Sequence, residues 1–239
     1  MRPRHEHVEQ HISTKDMAGW WKMDTDSRPA WQFDYSFNNH DGRMVGTNIK
    51  LSYPGVWFNG TDDRITTLYD YEPVFQSAFS IFLWSKPDDG HPDAEMDVLF
   101  GSKDTTGVVF QLKDLSGQIQ VVYTSEAVSV VCLSTGTVFR NGVSKYWAHL
   151  AYTISQTNGA RLYINGVLDQ TEPIGAAVMA NYACTARAMI GARSTGADPN
   201  EDHTNHITGK MGDVILYDAE KTAAEVRSVY EIQRRKYNV

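Results

Sequence analysis

The chain has 239 residues, 41% of them hydrophobic and 21% charged, and carries a formal net charge of −7. No apolar stretch approaches the ~20 residues needed to cross a bilayer, and basic residues cluster only near the ends (Arg2 and Arg4; Arg234, Arg235 and Lys236). That balance excludes the basic face of a nucleic-acid binder, and two cysteines, Cys132 and Cys184, are too few for a disulfide framework, leaving two buried thiols or one bridge.

In chain order, residues 1–17, "MRPRHEHVEQHISTKDM", have neither the apolar run of a secretory signal nor a periodicity that would fix them to a core. They read as an N-terminal arm that is ordered only against a partner. From residue 18 to 217, short runs rich in aromatic and β-branched residues ("GWWKM", "AFSIFLWSK", "GVVFQLK", "GQIQVVY", "WAHLAYTIS", "MGDVILYD") alternate with Gly, Asn, Asp and Pro. Turn signals of that density, with no long helical pattern between strands, predict an antiparallel β-sandwich rather than βαβ units. In "FSIFLWSKP" both alternating sets are apolar, which predicts a strand covered on both faces. In "RLYINGVLDQ", Asn165–Gly166 supplies the positive φ values of a tight hairpin turn. The last element, "KTAAEVRSVYEIQRRKY", predicts a helix over 223–236. Thr222 and Glu225 stand at capping-box spacing, and Val226, Val229 and Tyr230 lie on one face. Residues 18–239 therefore form one domain that includes this helix.

Several stretches together carry a resemblance: "WWKMD", "DYSFNNHDGRMVG", "VWFNGTDDRITT", "FSIFLWSKP", "WAHLAYTIS…NGARLYINGVL" and "ITGKMGDVILYDAEKTAAEVRSVY". Their order and spacing over about residues 18–232 resemble the laminin-G-like branch of the concanavalin A-like lectin/glucanase superfamily. The resemblance implies an all-β jelly roll of two antiparallel sheets. It implies a binding or structural module more often than an enzyme. It also implies a structural calcium ion where the first and last strands meet, held by Asp213, Asp24 and the carbonyl of Gly60.

Other residues offer further chemistry. The glucanases of this superfamily place a carboxylate pair on alternating strand positions, and Glu95 and Asp97 in "EMDVLF" have that spacing. The positions where that motif continues to another Glu are Leu99 and Phe100, so the pair reads as a polar strand end and no catalytic residue is assigned. The loop "ARSTGADPNEDHTNH" sets Asp198, Asn200 and Asp202 at every second position, beside His203. It is not an EF-hand, because His203 stands where Gly is required and Gly209 where a bidentate Glu is required. These four residues and Trp31, the one tryptophan outside a strand motif, are the candidate ligand-binding set. No phosphate-cradling loop, serine nucleophile elbow or HExxH zinc motif occurs.

The expectation is a non-catalytic structural and recognition protein, made in the cytoplasm and carried on a virion as a capsid or tail decoration or attachment protein. Its partners are other subunits, through the arm, and host glycans. The alternative is a free carbohydrate-binding lectin with calcium and the 198–203 loop at its site. A β-glucanase is the distant third.

Overall fold

The doubly apolar run Phe79–Pro87 becomes a central strand with both faces covered. Phe79, Ile81 and Leu83 point into the main core, while Phe82 and Trp84 enter apolar clusters on the opposite face. The computed structural model describes residues 12–24, 30–88, 96–104, 107, 109–125, 129–139, 146–175, 179–196 and 203–239. Its strands are β1 (Met17–Trp21), β2 (Trp31–Gln32), β3 (Gly42–Val45), β4 (Lys50–Ser52), β5 (Gly55–Asn59), β6 (Arg64–Thr66), β7 (Phe79–Pro87), β8 (Met96–Lys103) and β9 (Val109–Leu115). They continue as β10 (Gln118–Thr124), β11 (Ser129–Leu133), β12 (Ala148–Ser155), β13 (Gly159–Ile164), β14 (Val167–Glu172), β15 (Met189–Ile190), β16 (Arg193–Ser194), β17 (His203–Thr204) and β18 (Thr208–Tyr217).

Two antiparallel sheets face each other. The first runs β14-β13-β12-β7-β18-β5-β4, with β1 pairing the second half of β18; the second runs β11-β10-β9-β8-β15-β6-β3-β2. Between them, Phe79, Phe110, Tyr123, Tyr152 and Leu162 pack from facing strands. Burying large aromatic and aliphatic side chains contributes roughly 1.5–3 kcal/mol each and supplies the main driving force for the fold. The β13–β14 turn places Asn165 at φ 51° and Gly166 at φ 75°, as the dipeptide predicts. A Cβ on Gly166 would meet Tyr230 Cβ at 3.0 Å, so the glycine also lets the C-terminal helix approach the hairpin.

That helix runs Ala223–Tyr237 behind the first sheet, with both hydrogen bonds of the Thr222/Glu225 capping box formed. Val226 and Val229 join Phe82, Ala151, Tyr163, Ile215 and Tyr217 in a second apolar cluster. Ile12 and Met17 belong to the same cluster at 5% and 7% exposure. Within the stretch read as an arm, Ile12 and Met17 are thus packed on the domain, while residues 13–16 between them are exposed. Residues 1–11 lie outside the described residues. Cys132 and Cys184 are both buried thiols, not a bridge. Among the described residues, no helix is long and apolar enough to cross a membrane.

Candidate functional site

The junction expected to hold calcium is built, but around a different cation. Asp213 lies on β18 with 2% exposure. Its Oδ1 accepts from Lys236 Nζ at 2.6 Å, and its Oδ2 accepts from Gln233 Nε2 at 2.9 Å. Asp24 also approaches Lys236 Nζ, at 3.9 Å, and the same ammonium donates to the Lys22 carbonyl at 3.1 Å. The two acids thus converge as the resemblance implied, with a lysine from the C-terminal helix between them. Gly60 is elsewhere. It sits against Thr208, five positions earlier on β18 and therefore ~16 Å away at strand rise. Asp213, Asp24 and Gly60 do not form one oxygen cage, and an ammonium already occupies the cation position at Asp213. This geometry does not fit a calcium ion, which needs six to eight oxygens.

The network closes further. Trp84 Nε1 donates to Gln233 Oε1 at 2.8 Å, and the Asp213 amide donates to Tyr237 Oη at 2.7 Å. Burial and the Asp213 charge push the Tyr237 phenol up. Gly212 is required here, since a Cβ would lie 2.4 Å from Tyr237 Oη. The "FNGTDD" motif is likewise structural. Asn59 Oδ1 accepts the amides of Thr61, Asp62 and Asp63, and Asp63 returns bonds to the Asn59 and Asn48 amides. It is a self-capped turn.

The predicted ligand-binding residues are dispersed. Trp31, on β2 beside Arg43, is 36% exposed. His203, on β17, pairs with Ser194 of β16, and its Nδ1 is 2.8 Å from His206 Nε2. Asp198, Asn200 and Asp202 lie outside the described residues, as does Glu95. Asp97 pairs in register with Asp114. Alternation puts both on the side opposite to Val98 and Lys113, and Asp114 is occupied in accepting the Gly117 amide at 2.8 Å.

A cleft that sequence reasoning missed lies where β11 ends and β12 begins. Its volume is about 510 Å³, and its walls include Thr135, Phe139, Tyr146, Trp147, Asn165 and Asp169. The Asp169 carboxylate holds one wall by accepting the Thr135 amide and hydroxyl, both at 2.8 Å. Asn165, fixed by the hairpin turn, accepts the His149 amide at 2.9 Å. Tyr146 presents its ring at 75% exposure, while Trp147 is 8% exposed and packs on Tyr237. An exposed aromatic face beside fixed carboxylate, amide and hydroxyl groups is the chemistry of a polar ligand with apolar ring faces. "KYWAH" reads as the start of a core strand, and nothing in its pattern marks Tyr146 as the residue left outside.

Several solved structures share this architecture. The receptor-binding domain of botulinum neurotoxin mosaic serotype C/D, with tetraethylene glycol and sulfate bound, has a TM-score of 0.69 at 14% identity over 92% of this chain and 51% of that one. The binding domain of botulinum neurotoxin serotype D gives 0.66 at 16% identity, covering 92% and 52%. Trypanosoma rangeli sialidase in complex with sialic acid gives 0.66 at 15% identity, covering 95% and 35%. The chain spans about half of each toxin domain and about a third of the sialidase, and the likeness is one of fold. No curated protein sequence matches the chain. Residues 59–227 match the laminin-G family model of concanavalin A-like proteins, and these residues hold β6 to β18 and the start of the C-terminal helix. The chain belongs to the concanavalin A-like lectin/glucanases superfamily.

Proposed function

We propose that this protein is a non-catalytic recognition module that binds a saccharide in the cleft beside Tyr146. The observation that carries this reading is the combination in one place of an exposed tyrosine ring and fixed polar groups on Asp169, Thr135 and Asn165. The receptor-binding role named for the toxin domains and the sialic acid named for the sialidase complex support saccharide recognition as the task of such a surface. Asp97, turned away from the outer face of the second sheet and paired with Asp114, favours binding over glycosidic cleavage. A glycan array tests the reading. Defined binding that falls about tenfold or more in Tyr146→Ala is expected, from loss of ring stacking. A blank array, or binding indifferent to Tyr146, overturns it.

The same proposal places the module on a larger particle, as a capsid or tail decoration of a virion. The supporting observation is the anchoring of Ile12 and Met17 beside the C-terminal helix. Recovery of the chain on purified particles, lost on deleting residues 1–11 with the fold intact, is the expected result. A chain that stays soluble and monomeric with or without them removes that part of the reading.

A further inference from the structure

The outer face of the second sheet, away from the core, holds cations that no carboxylate among the described residues neutralises. On β9, Phe110 and Leu112 point inward, so Gln111 and Lys113 point outward. Cross-strand pairing extends this face in rows. Lys113 lies between Val98 and Gln120, Gln111 lies between Gly101 and Val122, and Lys103 stands opposite Val109. Arg193 arrives on β16 beside β8.

Outward-facing polar side chains are ordinarily solvated, but these are not. Lys113 is only 7% exposed and Gln111 only 3%. The Lys113 ammonium donates to Met96 Sδ at 3.3 Å, a thioether and a poor acceptor. Arg193 Nε is buried without a hydrogen-bond partner. Among the described residues, neither Lys103, Lys113 nor Arg193 forms an ion pair with a carboxylate, in a chain whose net charge is −7. Burial, then the neighbouring charges of Arg193 and Lys103, lower the Lys113 pKa. A buried ammonium beside two other cations works against folding unless an anion joins it.

We propose that Lys113, Arg193 and Lys103, with Gln111, form a site for the oxyanion of an acidic saccharide, separate from the cleft beside Tyr146. The carboxylate or sulfate supplies the missing countercharge. Arg193 offers its guanidinium edge, Lys113 a point charge and Gln111 an amide for a neighbouring hydroxyl. The saccharide part of this assignment rests on the recognition function proposed above; the anion part rests on the unpaired cations alone.

Titration of the full chain with tetragalacturonate and with 3′-sialyllactose, each against its methyl ester, tests it, because the ester removes only the charge. At least one acid form is expected to bind about tenfold or more tightly than its ester, with the preference weakening as salt is added. Lys113→Met is expected to abolish the preference and Arg193→Gln to reduce it. The melting temperature of Lys113→Met should stay level or rise, since an apolar side chain of similar length replaces a buried charge. A sulfated neutral oligosaccharide separates the two anion sources, and its binding through Lys113 supports the site with sulfate as the group read. Equal binding of acids and esters, a preference that survives Lys113→Met, or a lowered melting temperature in that variant overturns the proposal. Loss of neutral-sugar binding in Tyr146→Ala with the acid preference intact shows two sites. An acid preference without any neutral-sugar binding defeats the cleft reading alone.

Discussion

The two outer faces of this sandwich are treated in opposite ways. Behind the first sheet, the C-terminal helix covers Phe82, Ile215 and Tyr217, and Trp84 stacks on Tyr237 with centroids 4.2 Å apart. The charge buried there is answered: Asp213 receives an ammonium and a side-chain amide, and its own backbone amide donates to Tyr237. On the second sheet, buried Lys113 receives no carboxylate among the described residues, and Arg193 Nε has no hydrogen-bond partner among them. The same chain can therefore answer a buried charge over long distances in sequence, and does so at Asp213. The contrast marks the first face as structural and the second as a surface that is completed from outside.

The largest test of that contrast removes the internal cation. Lys236→Met takes the ammonium away from the buried Asp213 carboxylate and should cost about 3–5 kcal/mol of stability, read by chemical denaturation. The double variant Asp213→Leu/Lys236→Met should recover most of the loss, since the penalty comes from an uncompensated charge. If Lys236→Met is as stable as the parent, the sealed face is not held as described.

A second test uses pH. His149 is fully buried on that face among Phe82, Trp84 and Tyr230, with neither ring nitrogen bonded. Burial pushes it down to about 3. The unfolded chain takes up a proton near pH 6.5 and the folded chain does not, so the stability is complete above that pH and is lost as pH falls. The slope from this group is about 1.4 kcal/mol per pH unit below ~6. His206, lowered chiefly by burial, adds with the same sign. His149→Phe should flatten the decline between pH 6.5 and 5, and an unchanged slope would show that the site is hydrated. A smaller effect, about 1 kcal/mol, is expected for Thr222→Ala, which removes the cap that starts the sealing helix.

How far the sequence reaches follows from the range of each interaction. The Asn165–Gly166 turn and the Thr222/Glu225 cap are set within four residues, and the two-sided burial of β7 is written in its own alternation. All three were legible. The convergence of Asp24 and Asp213 was also legible through the resemblance, but the cation between them comes from Lys236, which the helix pattern marks only as a basic residue near a C-terminus. The burial of Lys113 was not legible, because it arises from neighbours distant in sequence, such as Met96, whose Sδ accepts from its ammonium. The Gly60 carbonyl entered the calcium set only through the resemblance, and no local pattern shows that Gly60 sits against Thr208, five positions along β18 from Asp213.

The smallest expected effect sharpens the contrast most. An ion bound only by the folded state at 100 times its dissociation constant adds about 2.7 kcal/mol, and a chelator withdraws that stabilisation. A lysine cannot be chelated. If Lys236 is the cation of the Asp213 junction, excess EDTA should move the melting temperature by less than about 1 °C, a shift far below what loss of a resident ion would produce. The same treatment of Lys236→Met separates two accounts of the carboxylate pair. Calcium-dependent stability appearing only in the variant would show that Asp24 and Asp213 retain affinity for a metal and that the ammonium excludes it. A large EDTA effect on the parent chain would mean that Lys236 shares the junction with an ion, and the sealed face would then also be completed from outside.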